Sequence, residues 1–306
     1  MTGLLFSAPA GDWAAWRAPL ERACAGLGVE VSDRMDPEAV DYVAYAPGGG
    51  LTDFGRFPRL KAVLSLWAGV ERIVGDPTIR MPLCRMVDPG LKAGMVEYVT
   101  GHVLRHHLGI DAHLKGQDGV WRGDLVPPLA ADRRVGILGL GELGAAAGRA
   151  LAALGFDVAG WSRRPKADLP FPALSGEDGL AEVLGRSEIL VLLLPATPAT
   201  EGLMNADRLA LLPAGAVLIN PGRGRLVDET ALLAALDRLG HATLDVFRVE
   251  PLPPEHPFWS HPKVTVTPHI ASATRPATAA QVVAENIRRA EAGEPLLHQV
   301  DRAQGY

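Results

Sequence analysis

The chain has 306 residues, 48% of them hydrophobic and 21% charged, a composition typical of a folded globular protein and not of a disordered one. Its length favours two domains over a single hydrophobic core. A net charge of -5, from 30 Lys and Arg against 35 Asp and Glu, disfavours nucleic-acid and membrane partners, because both would attract a basic surface.

The cysteines and the apolar runs indicate the cellular compartment. Cys24 and Cys84 lie far apart, without the spacing of a metal site or a disulfide framework, so we expect no bound metal. The first residues lack a basic leader, and apolar runs such as residues 189–194 are too short to cross a bilayer. We therefore predict a protein of the reducing cytoplasm.

Short apolar runs alternate with longer amphipathic stretches in the first third of the chain. Residues 4–7, 29–32, 42–46 and 62–67 have the length and composition of buried strands, and residues 13–27 have a helical pattern. This alternation predicts an α/β fold with a parallel sheet.

A long helical pattern follows over residues 92–114, shortly after Pro89. We place the first domain boundary within this helix, so that residues 1–98 form the first domain. Residues 116–134, which are rich in glycine, proline and charge, then lead to a second alternating series.

That second series predicts a complete domain. The predicted helices 143–154 and 228–239 lie among predicted strands, which makes residues 99–276 a doubly wound domain. The strands are predicted at residues 135–138, 157–161, 189–194, 216–220, 242–246 and 264–267. The last helix, residues 277–292, comes too late to extend this sheet, and we expect the segment 277–306 to return and complete the first domain.

The first strand of the second domain runs into a glycine motif that suits a dinucleotide. Gly139, Gly141 and Gly144 form G-x-G-x-x-G between a strand and a helix. Gly139 allows the tight turn, Gly141 lets the backbone approach a pyrophosphate, and Gly144 lets helix and strand pack closely. Backbone N–H groups at the start of the helix, at Glu142 and Leu143, would bind the phosphates.

The end of the next predicted strand indicates which dinucleotide binds. An NAD site places an acidic residue there to bind the ribose hydroxyls, whereas this chain has Ser162, Arg163 and Arg164. Cations beside a hydroxyl suit a 2'-phosphate, so we predict NADP(H) as the cofactor, with NAD(H) less favoured. The alternative is that these residues form an ordinary solvated loop.

Three later strand ends supply a cation, a carboxylate and an imidazole, in the form of Arg223, Glu250 and His269. Reduction of a 2-oxo acid can use this set, because an arginine binds the carboxylate and polarises the keto oxygen, a histidine donates the proton, and a glutamate holds the histidine. Taken singly, each residue also has a structural explanation, as a turn arginine, a loop-capping glutamate and a buried histidine.

These motifs resemble those of the D-isomer-specific 2-hydroxyacid dehydrogenases, and within that family the glyoxylate/hydroxypyruvate reductase A branch. The resemblance extends over nearly the whole chain. Besides the glycine motif, it is carried by residues 218–224, 227–229, 245–247, 250–253 and 267–269, and the branch is indicated by residues 274–276 and 299–306.

The resemblance implies a flavodoxin-like substrate domain and a Rossmann NADP-binding domain, with the active site in the cleft between them. Arg223 would bind and polarise the substrate, His269 would donate the proton, and Glu250 would pair with His269. Asp245 would orient the carboxamide of the nicotinamide. The cofactor site would also be lined by Pro195 and Thr200.

The same resemblance implies a substrate-binding loop in the first domain, at Trp67, Ala68 and Gly69. The family often has glycine where Trp67 stands, so we expect the indole to shape the substrate pocket, with an ordinary buried aromatic as the alternative. Arg275 is a further candidate for binding the substrate carboxylate, and a surface ion pair is the alternative for that side chain.

The implied activity is NADPH-dependent reduction of small 2-oxo acids, glyoxylate or hydroxypyruvate, by a homodimer. One alternative is a dinucleotide-sensing binding protein, similar to the transcriptional corepressors that share this fold. Another is an NAD-dependent dehydrogenase acting on a bulkier D-2-hydroxy acid, formate or phosphite. His102 and His106 have an i,i+4 spacing that could hold a metal, but no third ligand is evident nearby, and an interface position is the favoured interpretation.

Overall fold

The computed structural model describes residues 1–305. Its chain divides into two compact units, a first unit made of Met1–Leu91 with the segment from Ala273 onward, and a second unit made of Lys92–Ser272. The sequence-based boundaries, after residues 98 and 276, lie a few residues further along the chain than this division.

Both units are built from parallel strands linked by helices, which confirms the predicted fold class. The strands are β1 Thr2–Ser7, β2 Val29–Ser32, β3 Tyr42–Tyr45, β4 Ala62–Ser65, β5 Leu83–Cys84, β6 Arg134–Leu138, β7 Asp157–Trp161, β8 Ala173–Leu174, β9 Ile189–Leu192, β10 Val217–Asn220, β11 His241–Leu244 and β12 Val264–Val266. The helices are α1 Trp13–Ala23, α2 Pro89–His107, α3 Ile110–Lys115, α4 Glu142–Ala153, α5 Gly176–Arg186, α6 Ala206–Leu211, α7 Glu229–Ala235 and α8 Pro276–Glu291. Within residues 1–305, none of the helices combines the length and apolar character needed to cross a membrane.

The first unit contains a five-stranded parallel sheet in the order β2-β1-β3-β4-β5. This is the flavodoxin-like strand order. β3 and β4 are buried along their whole length, which explains why their sequences are largely apolar runs and not alternating patterns.

Both faces of this first sheet are covered. On one face α1 packs against α8, where Trp16 and Leu20 share a core with Val283 and Ile287. Side chains of the strands alternate between the two faces, and those of the opposite face meet the segment between β3 and β5. That segment contributes Phe54, Phe57, Val70, Ile73 and Ile79.

The second unit contains a seven-stranded parallel sheet in the order β12-β11-β10-β9-β6-β7-β8. Counted from β6, this is the Rossmann order 3-2-1-4-5-6 with one strand added. The chain order reverses between β6 and β9, and open α/β sheets bind ligands at the carboxyl ends of the strands near such a reversal.

The helical pattern over residues 92–114 is divided in the structure into α2 and α3. Gly109, between them, has φ 65°. That left-handed conformation is common where a helix ends and carries no steric penalty for glycine. The prediction of one continuous helix is therefore wrong, and the glycine is the reason.

Candidate active site

The predicted site residues of the second unit collect along one edge of its sheet. β10, β11 and β12 are neighbouring parallel strands, so their carboxyl ends lie side by side, about 4.8 Å apart from strand to strand. Arg223 follows β10, Glu250 follows β11 and His269 follows β12. The glycine motif follows β6 at the same edge of the sheet.

The glycine motif joins β6 to α4 through positions where a side chain would collide. Gly139 has φ 104°, and a Cβ there would lie 2.5 Å from the carbonyl oxygen of Leu193. A Cβ on Gly144 would lie 1.8 Å from the carbonyl oxygen of Gly139. A Cβ on Gly141 would meet nothing within 4 Å. The turn therefore has no room for a side chain at Gly139 or Gly144, whereas the space beside Gly141 is free, as a pyrophosphate site requires.

The first turn of α4 suits an anion. The helix begins at Glu142, and Gly141 before it provides no capping side chain, so the first backbone N–H groups face the open side of the turn. Nζ of Lys92 donates to Oε2 of Glu142 at 2.7 Å. This ion pair offsets a carboxylate that would otherwise repel a bound phosphate.

The basic loop begins where β7 ends. Ser162 is buried, and its Oγ donates to the carbonyl oxygen of Arg164 at 2.7 Å. Arg163 and Arg164 are exposed. The serine hydroxyl therefore shapes a loop with two exposed arginines at the strand end where the ribose of a dinucleotide is expected.

The loop after β9 is closed by the hydroxyl of Thr200. Its Oγ1 donates to the carbonyl oxygen of Pro195 at 2.6 Å and accepts from the backbone N–H of Thr197 at 2.9 Å. The N–H of Gly202 donates to the carbonyl oxygen of Arg225 at 2.8 Å. The predicted cofactor loop is thus bonded to the loop that carries Arg223.

His269 and Glu250 form a hydrogen-bonded pair. Nδ1 of His269 donates to Oε2 of Glu250 at 2.8 Å, and Oε1 of the same carboxylate accepts from the backbone N–H of Phe247 at 2.9 Å. The side chain of His269 is 52% exposed. Because Nδ1 is bound to the glutamate, Nε2 is the ring atom left to exchange a proton with a ligand.

Asp245 is fully buried and supports the loop that carries His269. Its Oδ1 accepts from Oγ1 of Thr267 at 2.6 Å and from the N–H of Ile270 at 2.9 Å, and its Oδ2 accepts from the N–H of Ala271 at 2.8 Å. The N–H of His269 donates to the carbonyl oxygen of Asp245 at 2.8 Å. In this structure the carboxylate predicted to orient the nicotinamide is bound to the histidine loop.

The loop of Arg223 lies against the loop of Glu250. Nδ2 of Asn220 donates to the carbonyl oxygen of Arg223 at 2.9 Å, which fixes the turn after β10. A Cβ on Gly224 would lie 2.0 Å from the carbonyl carbon of Phe247. Only glycine allows the two backbones to approach so closely, and this contact brings Arg223 beside the segment that holds Glu250.

The remaining predicted residues lie in the first unit, where Trp67, Ala68 and Gly69 follow β4 and Arg275 directly precedes α8. Trp67 is 41% exposed, so the alternative of a buried core aromatic does not hold. Oγ1 of Thr274 donates to the carbonyl oxygen of Leu66 at 2.7 Å. Arg275 is the next residue along the chain, so this bond places it close to the loop of residues 67–69.

His106, considered above as a metal ligand, contacts a threonine hydroxyl instead, and so does His241, whose ring lies beside it. Nε2 of His106 lies 2.9 Å from Oγ1 of Thr243, and Nε2 of His241 lies 2.8 Å from Oγ1 of Thr265. Burial lowers the pKa of His106 to about 3 and that of His241 to about 4. Across residues 1–305, no three His, Cys, Asp or Glu side chains are placed together to hold a metal ion.

Two residues near the site were missed by the sequence analysis. Oγ1 of Thr267 bonds to Asp245, and the hydroxyl of Tyr98 lies 2.7 Å from that Oγ1. The sequence could have indicated Thr267, because this residue ends a predicted strand and stands two residues before His269. Tyr98 had none, since it is 169 residues away in the chain.

The fold and this edge of the sheet define a class of protein. A Rossmann-type sheet with a pyrophosphate turn provides a dinucleotide site, and the histidine–glutamate pair beside an arginine provides proton transfer and carboxylate binding. These are the parts of an NAD(P)-dependent oxidoreductase.

Comparison with known proteins identifies the family. Residues 100–271 match the model of the D-isomer specific 2-hydroxyacid dehydrogenase NAD binding domain. The chain therefore belongs to the D-isomer specific 2-hydroxyacid dehydrogenase family. It is 46% identical to a family member from Xanthobacter autotrophicus Py2, solved with NADPH and MES, over 100% of this chain and 99% of that one, with a TM-score of 0.92.

Two further solved structures are similar over the whole chain. The NADPH-dependent glyoxylate/hydroxypyruvate reductase from Sinorhizobium meliloti, in complex with NADP and sulfate, is 37% identical over 100% of both chains, with a TM-score of 0.90. A probable 2-hydroxyacid dehydrogenase from Rhizobium etli CFN 42, in complex with NADP, HEPES and L(+)-tartaric acid, is 34% identical over 100% of this chain and 99% of that one, with a TM-score of 0.86.

Proposed function

We propose that this dehydrogenase reduces glyoxylate, hydroxypyruvate or a similarly small 2-oxo acid with NADPH, forming the 2-hydroxy acid. The observation that carries the proposal is the His269–Glu250 pair, joined at 2.8 Å beside the Arg223 loop. The similarity of the whole chain to the Sinorhizobium meliloti reductase supports the substrate class.

The glycine turn at Gly139, Gly141 and Gly144 fits a bound dinucleotide, because its middle position is open and its ends are closed. When bound, NADPH supplies a hydride from C4 of its nicotinamide to the keto carbon of the substrate. The exposed Arg163 and Arg164 would bind the 2'-phosphate, which distinguishes NADPH from NADH. NADH would lack that contact and bind more weakly.

His269 is the proposed proton donor. Its Nδ1–H is held by Glu250, so the charged ring presents Nε2–H to the substrate and protonates the oxygen that forms as the keto group is reduced. Asp245 would orient the nicotinamide in addition to holding the histidine loop.

Arg223 is proposed to bind the substrate carboxylate and to polarise the keto oxygen, because a guanidinium can make both contacts at once. In the first unit, the backbone of Trp67, Ala68 and Gly69 and the side chain of Arg275 would complete the carboxylate site. The exposed indole of Trp67 would limit the size of the substrate.

We also propose that the chain forms a homodimer. Large apolar side chains are concentrated on the exposed surface of one segment, and Trp121 within it is 95% exposed. Such surfaces are typical of protein interfaces. The segment contains Leu108, Ile110, Leu114, Val120, Trp121, Leu125, Val126 and Leu129.

Sedimentation of the wild type and of a Trp121→Ser/Val126→Ser variant would test the proposed dimer. We expect the wild type to sediment as a dimer and the variant to shift towards monomer.

Arg223→Ala tests the proposed reaction. We expect the rate of NADPH oxidation with both acids to fall by roughly 100-fold or more, since Arg223 is the only group proposed to polarise the keto oxygen. The affinity for NADPH should change little. The matched control is Arg225→Ala, which replaces a more exposed arginine of the same loop and should keep most of the activity. Activity in Arg223→Ala equal to that of the wild type would contradict the assignment.

A further inference from the structure

A line of hydroxyl groups connects α2 to the loop that carries His269. It begins at the hydroxyl of Tyr98, passes through Oγ1 of Thr267 at 2.7 Å and reaches Oδ1 of Asp245 at 2.6 Å. The same carboxylate accepts from the backbone N–H groups of Ile270 and Ala271. His269 therefore lies in a segment whose two ends are bonded to one buried side chain.

The direction of these hydrogen bonds follows from their chemistry. An ionised carboxylate only accepts, so the hydroxyl of Thr267 must donate its single hydrogen to Asp245. Tyr98 must then donate to Thr267. Burial raises the pKa of Tyr98 to about 12, so the phenol keeps its hydrogen at neutral pH and remains a donor.

The backbone makes the loop dependent on this support. His269 has φ 54°, in the left-handed region that residues with a side chain rarely adopt. The N–H of His269 donates to the carbonyl oxygens of Asp245 and Thr267, at 2.8 Å and 3.1 Å. A change in the position of Thr267 would therefore move the histidine backbone directly.

We infer that Tyr98 and Thr267 are positioning residues, which hold the His269 loop so that the ring keeps its bond to Glu250 and its reactive orientation. Neither side chain is proposed to contact the substrate or the cofactor. The inference rests on the proposed function, because it assigns His269 as the proton donor.

Tyr98→Phe and Thr267→Val are the test variants, since each removes a hydroxyl and keeps most of the side-chain volume. We expect kcat to fall about 3- to 10-fold for Tyr98→Phe, the range for one neutral hydrogen bond, and roughly 10- to 100-fold for Thr267→Val, which removes a bond to a charged group. KM for the 2-oxo acid and the affinity for NADPH should stay within about 3-fold of the wild type. Thr267→Ser, which keeps the hydroxyl, should recover most of the activity.

Thr100→Val is the matched control. Thr100 lies two residues after Tyr98 in α2, and within residues 1–305 its buried Oγ1 has no hydrogen-bond partner. Loss of that hydroxyl should leave kcat unchanged. Equal kcat in Tyr98→Phe, Thr267→Val and the wild type would overturn the inference, as would equal losses in Thr100→Val and Tyr98→Phe.

A second measurement separates this inference from the proposed function. The NMR signals of the histidine rings report the environment of His269, which is assigned by the signal that disappears in His269→Asn. We expect this signal to shift in Tyr98→Phe and Thr267→Val and to stay in place in Thr100→Val, whichever substrate the enzyme uses. An unchanged signal in both test variants would refute the positioning role even in an active reductase.

Discussion

At the residue scale, the backbone of His269 adopts a conformation that is unfavourable for a residue with a side chain. Its φ of 54° costs of order 1 kcal/mol or more. Two carbonyl oxygens accept from its N–H, and Glu250 holds its ring. Such conformations are concentrated at functional sites, where neighbouring bonds maintain them.

Glu250→Gln should impair catalysis without unfolding the protein. The amide removes the carboxylate charge that lies beside Nδ1 of His269, while its oxygen can still accept from the N–H of Phe247. We expect kcat with NADPH and glyoxylate to fall by roughly 100-fold. Steady-state assays of the variant and of Glu255→Gln, an exposed glutamate of the same loop, measure the effect. A similar loss in both variants would show that the charge of Glu250 has no special role.

The glycine motif offers a second prediction, because its glycines have different surroundings. Gly144→Ala would place a methyl group on the carbonyl oxygen of Gly139, and we expect it to lower the free energy of unfolding by about 1–3 kcal/mol. Gly141→Ala has space for its methyl group, so stability should be unchanged while the affinity for NADPH falls. Thermal unfolding and a fluorescence titration with NADPH would measure the two effects. Equal stabilities of the two variants would contradict this account.

The local parts of the site could be predicted from the sequence, and the long-range ones could not. Gly139, Gly141 and Gly144 have a fixed spacing, and steric need alone explains it. The bond from Tyr98 to Thr267 depends on the packing of α2 against the sheet of the second unit. No short pattern encodes it, since the two residues are 169 positions apart.

At the scale of elements, α2 packs on the second sheet partly through histidines. His106 is bonded to Thr243 of β11, and its ring lies 5.0 Å from that of His241. Burial, followed by the charges of His241 and Arg105, lowers the pKa of His106 to about 3. The folded protein therefore keeps this imidazole neutral at pH values where the unfolded chain would bind a proton.

This difference predicts a loss of stability in acid. Because the pKa of His106 is lower in the folded state, the unfolded chain binds a proton at this residue once the pH falls below about 6.5, the value for an exposed histidine, while the folded chain does not. Proton binding therefore favours the unfolded state, and the free energy of unfolding falls. Between pH 7.5 and pH 5, His106 alone should decrease the free energy of unfolding by about 2 kcal/mol. Urea unfolding of the wild type and of His106→Gln at both values tests this. A variant as acid-sensitive as the wild type would contradict it.

Two strands that the sequence did not predict are very short, and one helix break depends on a single residue. β5 and β8 contain two residues each, too few for a hydrophobic period to appear. The break between α2 and α3 depends on the left-handed conformation of Gly109, which an isolated glycine in a helical pattern does not reveal. Long apolar runs such as β9 and β10, by contrast, were predicted within a few residues.

At the scale of the whole molecule, the alternation of strands and helices predicted two parallel sheets, and both are present. The strand orders could not be read from the pattern alone, because a parallel sheet of given length can be wound in several ways. The family resemblance supplied them. The contact between α1 and α8 joins opposite ends of the chain, and it follows from the late position of α8, after the second sheet is complete.

The rate of NADPH oxidation with glyoxylate and with hydroxypyruvate, compared with the rate of NADH oxidation under the same conditions, tests the proposed reaction and the cofactor preference together. We expect turnover with at least one acid and a kcat/KM for NADPH at least about tenfold above that for NADH, with the preference lost in Arg163→Ala/Arg164→Ala. Turnover with NADH alone would contradict the role of the basic loop. Tight binding of NADPH without turnover of either acid would contradict the proposed reaction.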